Sequence, residues 1–143
     1  MSAAMDLDAL RRFFQLSPFM RDLGAEPTAV SPGRVTAVLT IQDRFRQHSG
    51  HVHAGVQTTL ADHSMGSAAQ TLVPDGHWVL TADLKVSLLR PADGERLVCE
   101  AWVIKPGRTL SFTEAEVWAE REGDRTLVLK ASATMAVVPL DRR

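Results

Sequence analysis

The stretch Ala54–Leu72, AGVQTTLADHSMGSAAQTL, decides the fold. Its apolar residues Val56, Leu60, Ala61, Met65, Ala68, Ala69 and Leu72 recur at spacings of three and four, which lays one stripe along a helix. Pro74-Asp75-Gly76 stops that helix. On its amino-terminal side, Asp6–Leu16 carries Leu7, Leu10, Phe13, Phe14 and Leu16 at near-helical spacing, which predicts a short amphipathic helix that caps the core and ends at Ser17-Pro18. Gly24–Ile41 is rich in Val and Thr and broken by Ser31-Pro32-Gly33, the pattern of a hairpin. On the carboxy-terminal side, Trp78, Leu80, Ala82, Leu84, Val86 and Leu88 alternate with Thr81, Asp83, Lys85 and Ser87, which predicts a half-buried strand with those two sets on opposite faces. Three further strands follow near Arg96–Ile104, Thr109–Glu120 and Thr126–Val138, and their short connections predict an antiparallel meander. The last sets Leu127, Leu129, Ala131, Ala133, Met135 and Val137 on one face. One long helix with strands segregated around it is an α+β arrangement, an antiparallel sheet wrapped around a central helix with a short N-terminal helix beside it.

The length of 143 residues fits a single domain over 1–143. With 16 basic against 17 acidic residues and net charge -1, no strong field favours nucleic acid or an anionic membrane, so a phosphate-bearing ligand has to be held by local groups. A single cysteine, Cys99, excludes an intramolecular disulfide framework and reads as an inert strand thiol in a reducing compartment. The start, MSAAMDLDALRRFF, lacks a basic segment followed by an apolar run, and no apolar stretch approaches the roughly 20 residues that span a bilayer. The expectation is a soluble, cytoplasmic protein. Its three tryptophans fall on predicted strands, as core or interface.

Chemical groups concentrate at Gln47–Asp62, QHSGHVHAGVQTTLAD. Small residues Ala54 and Gly55 at a helix start leave backbone N–H groups unpaired in the positive end of the helix dipole, a place that stabilises an oxyanion. Gln47 offers a second, amide donor. The plainer reading is a capped helix with Gln47 on a solvated loop. Asp62 interrupts the apolar stripe and is either surface-facing or kept for chemistry. Gly55 and Asp62 are seven positions apart, about 10 Å along a helix. One carbonyl cannot touch both, so a site that uses both takes its carboxylate from a second copy of the chain. His48, His51, His53 and His63 raise a metal alternative, but the His-x-His at 51 and 53 has no Cys beside it and follows no structural zinc pattern. No metal and no cofactor is expected, and His53 reads as orienting the loop. No G-x-S-x-G elbow, P-loop or dinucleotide fingerprint occurs. Lys105-Pro106-Gly107-Arg108 and Arg90-Pro91 are basic turns, open to phosphate or merely solvated.

These residues resemble the hot-dog-fold acyl-CoA thioesterases, in particular their PaaI-like branch, over about residues 17–139. His53–Asp62, HAGVQTTLAD, looks like the family's H-G-G-x-x-x-x-L-A-[DE], supported by LRPADGERLVCEAWVIKPGRTLSF at Leu89–Phe112 and by the closing ATMAVVP at Ala133–Pro139. The resemblance implies a metal-independent hydrolase that cleaves an acyl-CoA to a carboxylic acid and free CoA, as a homodimer or a homotetramer built as a dimer of dimers. It implies Asp62 as the carboxylate, nucleophile or general base, and the Gly55 N–H as polariser of the thioester carbonyl. Gln47 falls where the family has Asn or Gln, and Thr81 where some members position the water. Lys105, Gly107, Arg108 and Thr109 fall in the segment that contacts the CoA nucleotide, and Arg90 is a further CoA candidate. Ala54 departs from the first Gly of the usual pair, adding a methyl where the thioester approaches, and Gln47 is paired with Asp62 where members with Gln often carry Glu. Two alternatives are carried: a non-catalytic acyl-CoA binding module of the same fold, and a hydratase or dehydratase, which resembles this chain in architecture only.

Overall fold

The computed structural model describes residues 5–141, so the first four residues of the amino-terminal reading lie outside the described part. Helix α1, Leu7–Gln15, starts where the Asp6 carboxylate accepts from the Ala9 N–H at 2.8 Å, and it buries Leu10 and Phe14. Ser17-Pro18 does more than end it. The Ser17 hydroxyl caps a second helix, α2, Pro18–Leu23, with Pro18 in its first turn and Gly24 in the left-handed conformation at its end. Sequence periodicity could not resolve this helix, because six residues are too few to show a stripe.

The expected hairpin is β1, Glu26–Ser31, with β2, Arg34–Thr40. The central helix α3, Ala54–Gln70, ends two residues short of the predicted stripe. It buries Leu60, Ala61, Met65, Ala68 and Ala69 against the sheet, with Ser64 and Ser67 among them. These small side chains let the helix axis lie close to the strands. Four strands follow: β3, His77–Leu88; β4, Arg96–Lys105; β5, Leu110–Arg121; and β6, Asp124–Pro139.

All neighbours in the six-stranded sheet are antiparallel, in the order β1-β2-β4-β5-β6-β3, and α3 packs across it from β2 to β3. The expected meander of three strands is β4-β5-β6. Strand β3 crosses to pair with β6, and β4 pairs with β2, so β3 becomes an edge. The long Leu89–Glu95 connection permits the crossing, whereas the two-residue turn Glu122-Gly123 holds β5 and β6 together.

Two corrections fall on β3. A bulge between Thr81 and Asp83 breaks its alternation: Thr81 pairs with Met135, then Asp83 with Thr134 and Leu84 with Ala133. Before the bulge Val79 and Thr81 share the face of buried Met135; after it Leu84 and Val86 share the face of buried Ala133 and Ala131. Thr81 thus sits on the helix-facing side, which an unbroken period of two would deny it. The strand is also more exposed than half-buried, since Leu80–Lys85 have no neighbour strand on one side.

Candidate active site

The Gln47 end of the site is a tight loop. The Gln47 N–H donates to the His51 carbonyl at 2.8 Å and the Gly50 N–H to the Gln47 carbonyl at 2.9 Å. The Ser49 N–H donates to Gln47 Oε1 at 3.1 Å. Because a backbone N–H can only donate, this bond fixes the amide's orientation and leaves the Gln47 NH2 free to donate elsewhere.

His53 caps α3. Its Nδ1 accepts the Gly55 N–H at 2.9 Å, which places the ring proton on Nε2. A Cβ at Gly55 would lie 3.1 Å from that same Nδ1, so a small residue suits the position. The Gly55 N–H, expected to hold a carbonyl, is occupied by its own cap, while the preceding Ala54 N–H has no partner among the described residues. The Ala54 N–H is thus the open donor at this helix start, and the Gly55 N–H becomes one only if the His53 ring turns away.

Gln47, Ala54, Gln57 and the segment Leu88–Ala92 line an open cavity of about 330 Å³. Two bonds tie its two walls, and a third braces the Gln47 loop itself. The Val52 N–H donates to the Ala92 carbonyl at 2.9 Å, and Arg46 donates both to the Gly50 carbonyl at 2.7 Å and to the Asp93 carboxylate at 2.8 Å. The Arg46 guanidinium, helped by the Gly94 N–H, holds the Asp93 carboxyl down at about 2. Gly94 has φ +131°, and a Cβ there would fall 2.3 Å from the Glu120 carbonyl oxygen, so only glycine brings Asp93 to this position.

Asp62 occupies a different place. The Thr81 hydroxyl donates to its Oδ1 at 2.7 Å, across from α3 to the bulged part of β3. Both line a cavity of about 160 Å³ walled by Phe13, His63, Val79 and Met135. His63 stands edge-on to Phe14 at 4.4 Å and stacks on Phe13 at 5.9 Å. Burial pushes its imidazole down to about 4 against the opposing pull of Asp62, and its Nε2 has no partner among the described residues. A neutral ring therefore borders the carboxylate.

The remaining expected residues are dispersed. Arg90 lines the Gln47 cavity and donates to the Leu127 carbonyl at 2.9 Å. Lys105 ends β4 and Gly107, Arg108 and Thr109 follow in the turn before β5, all exposed, and neither cation has an ion pair among the described residues. An added Cβ at Gly107 would meet the Leu110 carbonyl oxygen at 2.0 Å, so this glycine also has a structural reason to be there. The pairing of Leu110 with Ala136, and of Ala136 with Leu80, sets that turn near the Thr81 end of β3, and Arg90 beyond the other end. Within one chain the structure thus makes two clusters, Gln47–His53–Gly55–Arg90 and Asp62–Thr81. Sequence reading missed Gln57, Phe13, Arg46 and Asp93, and named His63 only within the metal alternative. Gln57 carried a signal, a polar side chain three residues before Leu60 on the buried face; Arg46 and Asp93 carried none, being 47 residues apart.

The sequence pattern of the thioesterase superfamily matches residues 49–126. The chain belongs to the thioesterase superfamily. It has the PaaI-like hot-dog architecture of that group: a thioesterase family protein from Silicibacter pomeroyi, 36% identical, superposes with TM-score 0.88 over 91% of this chain and 96% of that one. The Escherichia coli PaaI protein of the phenylacetic acid degradation operon, 15% identical, superposes with TM-score 0.81 over 90% of each chain, a likeness of fold alone. Human acyl-coenzyme A thioesterase 13 is 27% identical over 96 residues, 66% of this chain and 68% of that protein. A Caenorhabditis elegans relative, 30% identical over 79% of this chain, is matched over just 66% of its own length. The chain therefore spans about two thirds of the curated relatives it matches. No helix among the described residues is long and apolar enough to cross a membrane.

Proposed function

We propose that this thioesterase hydrolyses an acyl-CoA to a carboxylic acid and free CoA, in a site shared between two copies of the chain. The observation that carries this reading is the Asp62–Thr81 pair: a carboxylate on a central helix, hydrogen-bonded by a hydroxyl that a bulge turns toward it, beside a solvent-open cavity. The carbonyl oxygen is held at the start of α3 by a backbone N–H and the Gln47 amide, donors aimed where negative charge develops. Asp62 either removes a proton from water as the water oxygen attacks the carbonyl carbon, or attacks that carbon itself; in both cases the tetrahedral oxyanion collapses by breaking the C–S bond and the thiolate takes a proton, and in the second case water then hydrolyses the acyl–Asp62 anhydride, releasing the carboxylic acid and restoring the carboxylate. None of these steps calls on a metal.

The distance from Gly55 to Asp62 along α3, about 10 Å, keeps one chain's two clusters from acting on one carbonyl. Strand β3 supplies the solution. It is a twelve-residue edge with Leu80, Leu84 and Leu88 exposed, the kind of edge that pairs with another strand. Antiparallel pairing of two β3 strands about a two-fold near their middle sets the Thr81 end of one copy against the Leu88 end of the other, so each Asp62 meets the other copy's Gln47 cavity. The proposed assembly is this homodimer, with the exposed Lys105–Thr109 turn and Arg90 offering cations to the CoA phosphates.

The test is thiol release from a panel of acyl-CoAs by wild-type protein and by Asp62→Asn. Turnover is expected to fall by about 10³-fold or more while acyl-CoA still binds. Near wild-type turnover in Asp62→Asn defeats the mechanism, and binding without turnover in the wild type makes the chain an acyl-CoA binding module instead.

A further inference from the structure

Gln57 is 3% exposed, one turn into α3 and in the wall of the 330 Å³ cavity that also holds Gln47 and Ala54. Its Nε2 donates to the Val52 carbonyl at 3.1 Å. A carbonyl can only accept, so the amide nitrogen must be the atom facing Val52, and Oε1 is the atom left over. That Oε1 is buried and has no donor among the described residues. An unpaired buried acceptor is costly, and a fold keeps one where a donor from outside the chain offsets the cost. The cavity is of ligand size, roughly ten times the volume of one water. Most of its other walls, Val52, Ala54, Leu88, Leu89, Pro91 and Ala92, offer no side-chain donor.

Resting on the acyl-CoA reading above, we propose that Gln57 is a specificity-determining residue: its Oε1 accepts a hydrogen bond from a donor that the substrate carries close to the thioester, a hydroxyl on the acyl group or an amide N–H of the thiol arm. The cavity then reads both polar features of one ligand. Gln47 donates to the carbonyl oxygen, and Gln57 accepts from the neighbouring O–H or N–H. A site with such an acceptor disfavours the analogue lacking the donor, because binding that analogue leaves Oε1 dry and unpaired.

Two arms of one experiment separate the sources of the donor. On the acyl side, kcat/KM is compared for 2- or 3-hydroxybutyryl-CoA against butyryl-CoA. On the thiol side, it is compared for the butyryl thioester of N-acetylcysteamine against that of O-acetyl-2-mercaptoethanol, in which an ester oxygen replaces the amide N–H. Each comparison is repeated in Gln57→Met, of similar volume. Loss of the Val52 bond in that variant affects both members of a pair alike and cancels in the ratio. The expected result is a wild-type preference of about tenfold or more for the donor-bearing member in one arm, falling to about one in Gln57→Met. A wild-type ratio near one in both arms overturns the proposal without any variant, and so does a preference that survives Gln57→Met. The same pairs titrated by calorimetry into Asp62→Asn protein give the ratio as Kd, so the outcome stands apart from turnover: hydrolysis with no donor preference rejects Gln57 alone, and donor-dependent binding without hydrolysis rejects the catalytic reading alone. Absence of binding by every member overturns the site.

Discussion

His63 shows how much one neighbour of a candidate catalytic group contributes by staying neutral. In the unfolded chain its imidazole titrates near 6.5; in the fold, burial holds it at about 4. Between those values the unfolded chain binds the proton and the folded one does not, so stability is full above about pH 6.5 and is lost as pH falls toward 4. At 1.36 kcal/mol per pH unit the loss is about 3 kcal/mol at most. His63→Phe keeps an aromatic ring against Phe13 and Phe14 and removes the titration. Urea unfolding at pH 7.5 and at pH 5 should show a markedly smaller pH effect in the variant than in wild type; equal slopes would mean that His63 does not carry it.

At the scale of elements, the Gln47 loop depends on a clamp remote from it in sequence. Arg46 bonds the Gly50 carbonyl within the loop and Asp93 in the β3–β4 connection, while Arg121 reaches the other Asp93 oxygen at 3.0 Å. These groups are partly solvated, so they add little to global stability. Their effect on the site should be larger, because a small displacement of an oxyanion donor is costly. Asp93→Asn is expected to lower kcat about tenfold with a Tm change of only a few degrees, and Arg46→Lys to recover part of the activity that Arg46→Ala loses. A fall in stability as large as the fall in kcat would make the clamp simply structural. The bulge in β3 acts at the same scale, since it places Thr81 beneath Asp62 rather than on the outer face.

The whole molecule carries its clusters on opposite ends of an exposed edge, and two predictions belong there. Leu84→Arg puts a charge in the middle of β3 and should convert the proposed dimer to a monomer by sedimentation, with activity down about 10²-fold. A monomeric wild-type chain with full turnover would remove the shared site. Complementation gives a sharper reading. Asp62→Asn and Gln47→Ala proteins are each impaired alone, but mixed and allowed to exchange subunits they should regain activity, since one of the two sites in a mixed dimer then has both parts intact. No recovery places both residues in one chain's site.

What the sequence determined by itself was set by local periodicity and by short-range chemistry. A stripe at three and four made α3, Ser31-Pro32-Gly33 made the β1–β2 turn, and HAGVQTTLAD placed small residues at a helix start with a carboxylate two turns on. The helix rise alone divided that motif between two clusters. Periodicity is blind to what pairs with what. Only the tertiary structure decided that β3 leaves its sequence neighbour β4 to become an edge beside β6, because strand order follows from which faces the sheet can bury together. It also decided that a bulge reverses the phase of Thr81, that Arg46 meets Asp93, and that Gln57 keeps a buried oxygen without a donor. Each of these joins residues far apart in the chain, or compares an atom with all its surroundings, and no window of sequence contains both sides of that comparison.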